Sequence, residues 1–523
     1  MFDTDSALLS LVFQVLKYFI LLGIAMMIYV GYYVLIRPHL FRWKYKKYPN
    51  VYMIDSIKPL GGDLALHMED VKQDKVHYSH IVEAAPELNK YDLQVEIESM
   101  QPVISLVSNE SIKEFCAMAP DKIDKLVWNR GVLKMVADSF AAHPSTEKTK
   151  GRRKDLTSIL GLNSSSKYIP TMLEVTKEVL AEMKKLKDVN YLNHMNNLTV
   201  KILSNLLFGK DIHYLIEKKY TYQNHDGTSD ELNLLDFFFK HCENLVAEYY
   251  NPITTLLPFV DKNNLFGLWK RNHVNDIQFK TRLTEIVEKS KDENSLWSQM
   301  KALNHYSSED IFSDLIILLL GGTESTSHSL VSLFFYLAKH PDVKEKLVKE
   351  LRDMGFHKNE ELYHTKIHDC DYLNYVVKEV FRIDAPVTRG FYYVAKEDIN
   401  ICNVPISKGT ALRLDLLTPH FNTDDWKDPL SFVPERFDPE SEFYVKAMKE
   451  SKKAGVFSRR AFGHGVRSCP GQTFATLETK VIVAYLLTHM DFEVDESILN
   501  RENVGFGMGS HIVPKFKVSE FRE

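Results

Sequence analysis

Ten residues near the C-terminus, Phe462-Gly463-His464-Gly465-Val466-Arg467-Ser468-Cys469-Pro470-Gly471, restrict the fold of this chain more than any other segment. A cysteine set among glycines and followed by proline has the makings of a thiolate that must be kept anionic, sheltered and aimed. Glycine at 463, 465 and 471 lets the backbone turn tightly and pass close to a flat partner. Pro470 suits the first position of a helix, whose free N–H groups and positive end would point at the sulfur and lower the thiol pKa. Arg467 can neutralise a carboxylate through charge-assisted hydrogen bonds, and Phe462 can wall the sulfur off from water. These jobs coincide if Cys469 is the axial ligand of a haem iron and Arg467 meets a haem propionate. Cys116, Cys242, Cys370 and Cys402 stand in no such string and read as buried, inert thiols.

The pattern F-G-x-G-x-R-x-C-x-G resembles the haem-binding loop of the cytochrome P-450 family, the haem-thiolate monooxygenases. Three further segments resemble that family's motifs. Within the apolar helical run 310–333, Gly321-Gly322-Thr323-Glu324-Ser325-Thr326 places an acid and hydroxyls beside two glycines that each cost a helix interior roughly 1 kcal/mol. Something must approach the backbone there, and the resemblance implies oxygen activation, with Glu324 as the acid, Ser325 as the hydroxyl in place of the usual threonine, and Thr326 in reserve. Serine lacks the γ-methyl that stiffens χ1, so its hydroxyl would be held less firmly. Glu379-Val380-Phe381-Arg382 puts an acid and a guanidinium on one helix face. With Pro434-Glu435-Arg436-Phe437 it implies a buried Glu379, Arg382, Arg436 triad bracing the haem-binding core. Glu324, Glu379, Arg436 and Cys469 follow the family's order, and the resemblance is strongest over residues 300–515.

The resemblance also implies propionate partners at Arg389, after Pro386, and at Arg152, although Lys148 stands where the family has tryptophan. Val387 and Thr388 would face the substrate cavity. The basic run 148–154, with Lys452, Lys453, Arg459 and Arg460, would gather on the proximal side and suit an acidic electron donor.

Charge is otherwise balanced, 65 basic against 70 acidic residues, which gives no sign of nucleic-acid binding. Five unpaired-looking cysteines point to a reducing compartment. Tyr18 to Ile36 is uncharged and mostly apolar, long enough as a helix to span roughly 30 Å of hydrocarbon. Arg37, Arg42, Lys44, Lys46 and Lys47 follow it, so the positive-inside rule places the main domain in the cytosol, where the sequons at Asn163 and Asn197 would stay unglycosylated.

The expected architecture is mainly α with small β-sheets (α+β), a P-450-like fold. A short non-cytosolic segment (1–17), a transmembrane anchor (18–36) and a basic linker (37–50) precede one haem-thiolate catalytic domain (51–523). Helical spacing dominates 168–208, 230–250, 309–339 and 367–383, and β-prone runs lie at 101–107 and 390–416. The expected protein is a single-pass endoplasmic reticulum enzyme carrying haem b (iron protoporphyrin IX). It would insert one atom of dioxygen into a small apolar substrate. Since no GxGxxG stands at a strand-to-helix junction, NADPH would act only through a separate flavoprotein reductase, with a cytochrome b-type donor as a second electron source. Two alternatives are a haem-thiolate isomerase or dehydratase working on peroxides without a reductase, and a non-catalytic haem-binding membrane protein.

Overall fold

The computed structural model describes residues 3–53, 62, 86–98, 100–126, 135–186, 189–249, 251, 256, 270–494 and 515–520. Helix α1 (Asp3–Gly31) passes through one π-helical turn (Tyr32–Ile36) into α2 (Arg37–Tyr45). Leu11, Phe13, Phe19, Leu22 and Ile28 stand exposed along α1. Ser10–Tyr45 contains an 18-residue window of mean hydropathy 2.3, none of it buried against the protein. A face of that kind is at rest only against another apolar phase. Residues 18–36 fall inside this continuous helix, which also takes in most of the expected linker. Pro38 does not break it, because it stands just past the π-helical turn, whose wider winding accommodates a residue without an N–H.

Further helices include α3 (Asn109–Met118), α4 (Glu147–Ile159), α5 (Ile169–Met183), α6 (Tyr191–Phe208), α7 (Leu234–Tyr249), α8 (Lys270–Val287), α9 (Leu296–Ala302), α10 (Ser308–Lys339), α11 (Pro341–Asp353), α12 (Asp371–Ile383) and α13 (Gln472–His489). The helical run expected over 168–208 is thus two helices, α6 opening where the Asn190 side chain accepts from the Asn193 N–H. Helices α5, α6, α10, α12 and α13 enclose the main apolar core, which includes Leu203, Leu315, Phe334, Val377, Leu477 and Ile482.

A six-stranded sheet packs beside them. Its strands are β1 (Val51–Met53), β2 (Leu93–Glu98), β3 (Gln101–Leu106), β4 (Ile123–Lys125), β5 (Arg389–Ala395) and, after the hairpin β6 (Ile399–Ile401) and β7 (Val404–Ile406), β8 (Ala411–Asp415). Their spatial order is β1-β2-β3-β8-β5-β4. The turn expected at Asn403-Val404-Pro405 lies one residue earlier. Cys402 and Asn403 take the positive φ values, 49° and 63°, while Pro405 sits in a two-stranded ladder that leaves one of its edges free.

Helix α10 starts with a capping box, the Ser307 hydroxyl accepting from the Asp310 N–H and the Asp310 carboxylate from the Ser307 N–H. Its glycine pair has two different reasons. A Cβ on Gly322 would lie 2.8 Å from Leu203 Cδ2, so this glycine admits α6, which also donates the Thr199 hydroxyl to the Thr323 carbonyl at 3.2 Å. A Cβ on Gly321 would meet nothing within 4 Å. Gly321→Ala is therefore expected to raise stability by about 0.5–1 kcal/mol through helix propensity. Gly322→Ala must also displace Leu203 and is expected to be the less stable of the two in thermal melts.

Candidate active site

The cysteine segment is a closed loop. The Cys469 N–H donates to the Phe462 carbonyl at 2.8 Å and the Gly463 N–H to the Arg460 carbonyl at 2.9 Å. Gly463 and Gly465 hold φ of 69° and 71°, where a side chain would be strained. A Cβ on Gly465 would also come within 3.0 Å of Cys116 Sγ. The Phe462 ring meets Phe381 of α12 edge to face, centroids 5.2 Å apart, which ties the loop to the helix carrying Glu379 and Arg382.

Pro470 does not open the helix that follows. Gly471 is its N-cap and Gln472 its first residue, so Pro470 sits in the preceding turn. The electrostatic consequence survives the shift, because the N–H groups of Gly471 and Gln472 both bond to the Cys469 sulfur. Burial within the protein matrix raises the Cys469 thiol pKa, while those two N–H groups and the nearby Arg153 guanidinium pull it down. The residue nonetheless remains exposed on the side the loop leaves open.

The arginines divide in a way the sequence did not show. Arg467 donates to the carbonyls of Phe140 (2.7 Å) and His143 (2.9 Å), to Ser145 Oγ (2.7 Å) and to Asp124 Oδ1 (3.3 Å), stitching the loop to residues 140–145. Arg152, expected at a propionate, is turned into α10. It bonds to the Asp310 carbonyl (3.1 Å) and carboxylate (3.2 Å), and its Nε lies 3.6 Å from Asp314 Oδ2. One residue along a helix is a rotation of about 100°, and Arg153, not Arg152, reaches the loop, donating to the Ser468 carbonyl. Arg389 pairs with Glu96, which also receives Arg413. Burial opposes ionisation of Glu96, but these two guanidiniums hold its carboxyl below the usual range. Arg152 and Arg389, two of the three arginines expected at propionates, thus have their charge matched by buried acids. Arg460, expected on a basic surface, is fully buried among the carbonyls of Val107 (3.0 Å), Asp415 (2.9 Å) and Phe457 (2.6 Å). Val387 and Thr388 are half-buried at the entry to β5, with Val387 packed against the core beneath the sheet.

Asp314 is the strained member of the α4–α10 contact. Burial pushes its carboxyl up to about 7 against the pull of Arg152 and the Phe140 N–H. A folded pKa above the unfolded one means the native state binds the extra proton, so stability falls as pH rises from about 4 to 7, by at most about 1.4 kcal/mol per unit. Asp314→Asn is expected to flatten that slope in denaturation curves taken at pH 5 and pH 7.

The Glu379, Arg382 and Arg436 side chains come together as expected. Arg382 forks onto Glu379 with two bonds of 2.8 Å, and Arg436 Nε reaches Glu379 Oε1 at 2.9 Å. All three are buried, and both guanidiniums lie over the Trp426 ring.

In the middle of α10, the Glu324 carboxyl is half-buried and raised in pKa by burial, then by Glu243 of α7. The Ser325 hydroxyl donates to the Gly321 carbonyl at 2.5 Å. Thr326 is 3% exposed.

Among the described residues no three His, Cys, Asp or Glu side chains gather as a protein-built metal site would require. One open thiol under paired N–H donors suits instead a metal that arrives with its other ligands in a macrocycle. Fold and loop together define a mainly helical protein with one cysteine readied for a prosthetic group. The family model described as "Cytochrome P450" matches residues 98–514, and the chain belongs to the cytochrome P450 family, in general haem-thiolate monooxygenases. It is 32% identical to cytochrome P450 3A19 of Capra hircus aegagrus over 183 residues, 35% of this chain and 79% of that one. With cytochrome P450 26B1 of Danio rerio it shares 22% identity over 415 residues, 75% and 73% of the two chains. With cytochrome P450 3A16 of Mus musculus it is 30% identical over 217 residues, 42% of this chain and 40% of that relative. The solved structure of retinoic acid bound cyanobacterial CYP120A1 superposes with a TM-score of 0.65 at 17% identity, covering 86% of this chain and 96% of the other.

Proposed function

We propose that this protein is a membrane-anchored monooxygenase, which inserts one atom of dioxygen into a small apolar substrate with electrons from a separate NADPH-dependent flavoprotein. The observation that carries this reading is the open Cys469 thiol beneath the N–H groups of Gly471 and Gln472 and beside Arg153, within the segment that matches the family. Haem b, held by Cys469 and by Arg467 and Arg153 toward its carboxylates, would supply dioxygen binding and one-electron chemistry. Phe462, its ring braced on Phe381, would shield the thiolate from water on the loop's inner side. Gly321 keeps space beside α10 free of a side chain.

The protons fall to the chain's own groups. Glu324, biased toward its neutral form, holds a proton that it can release and regain. The Ser325 hydroxyl gives its hydrogen to the Gly321 carbonyl and so presents lone pairs outward, ready to accept from a water and pass a proton on by rotating. Thr326, being buried, is a helix-packing residue in this scheme. The catalytic domain would face the cytosol at the endoplasmic reticulum, with α1 in the bilayer. The exposed Lys148, Lys150, Lys154, Lys453 and Arg459 would meet an acidic electron donor, a flavoprotein reductase or a cytochrome b-type protein.

Turnover with a flavoprotein reductase, NADPH and labelled dioxygen tests the reading: label is expected in the product. Product formation without any electron donor would transfer the site to peroxide rearrangement. Ser325→Thr is expected to raise the fraction of NADPH electrons recovered in product, and Glu324→Gln to lower turnover about 10²-fold or more.

A further inference from the structure

The hairpin of Tyr220–Gln223 and Ser229–Leu232, between α6 and α7 in the chain, belongs to no motif of the sequence. Beside it lies a cavity of about 280 Å³ that no step of the proposed chemistry uses, enclosed by the turn 215–221 and the C-terminal end of α8. Lys218, Lys219, Arg282 and Lys289 line it, against the single acid Glu285. Arg282 bonds to that acid at 3.0 Å, so this pair cancels. The three lysines are exposed and make no ion pair among the described residues, which leaves three positive charges on one recess. They are brought together by walls fixed at both ends. At one end the buried Asn275 of α8 accepts the Gln223 N–H at 3.1 Å and donates to the Gln223 carbonyl at 2.9 Å. At the other, the Asp211 carboxylate accepts the Ser290 hydroxyl (2.8 Å) and the Lys291 N–H (2.6 Å), which ties the chain after α8 to the chain before the turn. Within the turn, the Tyr220 hydroxyl donates to the Leu215 carbonyl at 3.1 Å. Tyr222, fully buried, seats the hairpin edge to face on Phe237 of α7, centroids 4.9 Å apart. The recess is therefore preformed, and the repulsion among its lysines is a cost that a bound anion would relieve.

We propose that this recess binds a soluble, multiply charged phosphate compound, with Lys218, Lys219 and Lys289 as its ligands. Ammonium groups on flexible stems act as point charges and suit the concentrated charge of phosphate, whereas the flat fork that selects a carboxylate is spent here, Arg282 being paired with Glu285. The volume lies at the lower end of ligand pockets, which run from roughly 300 to 1,000 Å³, and fits a compact ligand. The recess belongs to the α7–α8 layer, while α2, which continues the apolar helix α1, packs on β2 and β3. That separation favours a soluble ligand over a lipid headgroup. The site is independent of the reading of Cys469, since no residue of the cysteine loop takes part in it.

Calorimetric titration of the purified full-length protein with sodium tripolyphosphate, at about 0.15 M ionic strength so that loose surface attraction is screened, tests the proposal. Saturable one-to-one binding is expected, with inorganic phosphate binding more weakly. The double variant Lys218→Gln, Lys219→Gln is expected to weaken binding at least about tenfold and Lys289→Gln, on the opposite wall, about fivefold. Lys358→Gln with Lys408→Gln, two exposed lysines elsewhere, removes the same charge and should change the affinity less than about twofold. All five side chains are exposed, so melting temperatures without ligand should match the wild type; should the double variant fail to fold, Lys289→Gln decides alone. Absence of saturable binding to the wild type at millimolar tripolyphosphate overturns the proposal. Equal losses in the recess and control variants overturn it as well, because net charge alone would then be sensed. Co-sedimentation with phosphatidylcholine vesicles containing phosphatidic acid is the third arm. Vesicle binding that needs the three lysines, with no binding of tripolyphosphate, would assign the recess to a lipid headgroup and overturn the soluble ligand.

Discussion

Cys469→Ala is expected to abolish the thiolate signature completely. In the wild-type protein, reduction under carbon monoxide should give the strongly red-shifted Soret band of a cysteine-ligated haem, and in the variant that band should be missing. The expectation follows from how much of the loop serves one sulfur. The N–H groups of Gly471 and Gln472 and the charge of Arg153 all favour the anion, and all lose their object when the side chain ends at a methyl. No other cysteine can take over. Cys242, Cys370 and Cys402 are buried, and burial drives the Cys370 and Cys402 thiols up to about 12. Cys116, in contact with the loop near Gly465, is raised by burial as well. His464, the histidine inside the loop, is held toward neutrality by burial and Arg460, yet its ring is engaged edge to face with Phe457, centroids 5.2 Å apart. A variant that kept the red-shifted band would assign the ligand elsewhere. Monooxygenase turnover is expected to fall below detection in the same variant.

What could be read from the sequence depended on how local each cause was. The loop was legible because backbone sterics, a helix start and one thiol act within ten residues. Of the triad, the Glu379–Arg382 pair was legible from spacing, which puts both on one helix face, whereas Arg436, 57 residues further on, came only through the family resemblance. The partners of the arginines were hidden for the opposite reason. Whether Arg152 or Arg153 reaches the loop is a matter of helix phase, and the apolar signal that sets phase is weak in a helix as polar as α4. Glu96, which neutralises Arg389, lies 293 residues away and on a strand the hydropathy pattern did not reveal. The glycine pair was half legible: a reason for close approach was evident, but not that Gly322 serves Leu203 while Gly321 alone leaves space open.

Glu379→Ala is expected to cost at least about 3–5 kcal/mol of stability, the largest effect of any single substitution in the core outside the haem ligand, because it strands two buried guanidiniums at once. Arg382 would keep its bonds to the carbonyls of His420 (2.9 Å), Pro429 (2.7 Å) and Ser431 (3.1 Å), and Arg436 those to Lys427 (2.7 Å), Asp428 (3.1 Å) and Ser431 (3.0 Å), but nothing would balance their charge. Those carbonyls belong to the irregular segment 420–431, which has few ladder bonds of its own and is shaped by the two arginines. Glu379 also accepts the Val433 N–H at 2.9 Å, so the segment is held from both sides. The same stretch leads to the cysteine loop, and the His420 ring accepts the Arg460 N–H at 2.8 Å. Loss of the acid should therefore loosen the haem site from behind, and haem content is expected to fall together with stability. Glu379→Ala with Arg382→Ala should cost clearly less than the two single changes added, since the second removes a cation the first left unpaired. Denaturation midpoints and haem-to-protein ratios for the three variants check this. A loss within about 1 kcal/mol for Glu379→Ala, the range of a solvent-screened pair, would show that water reaches the triad and that the segment is held by other means.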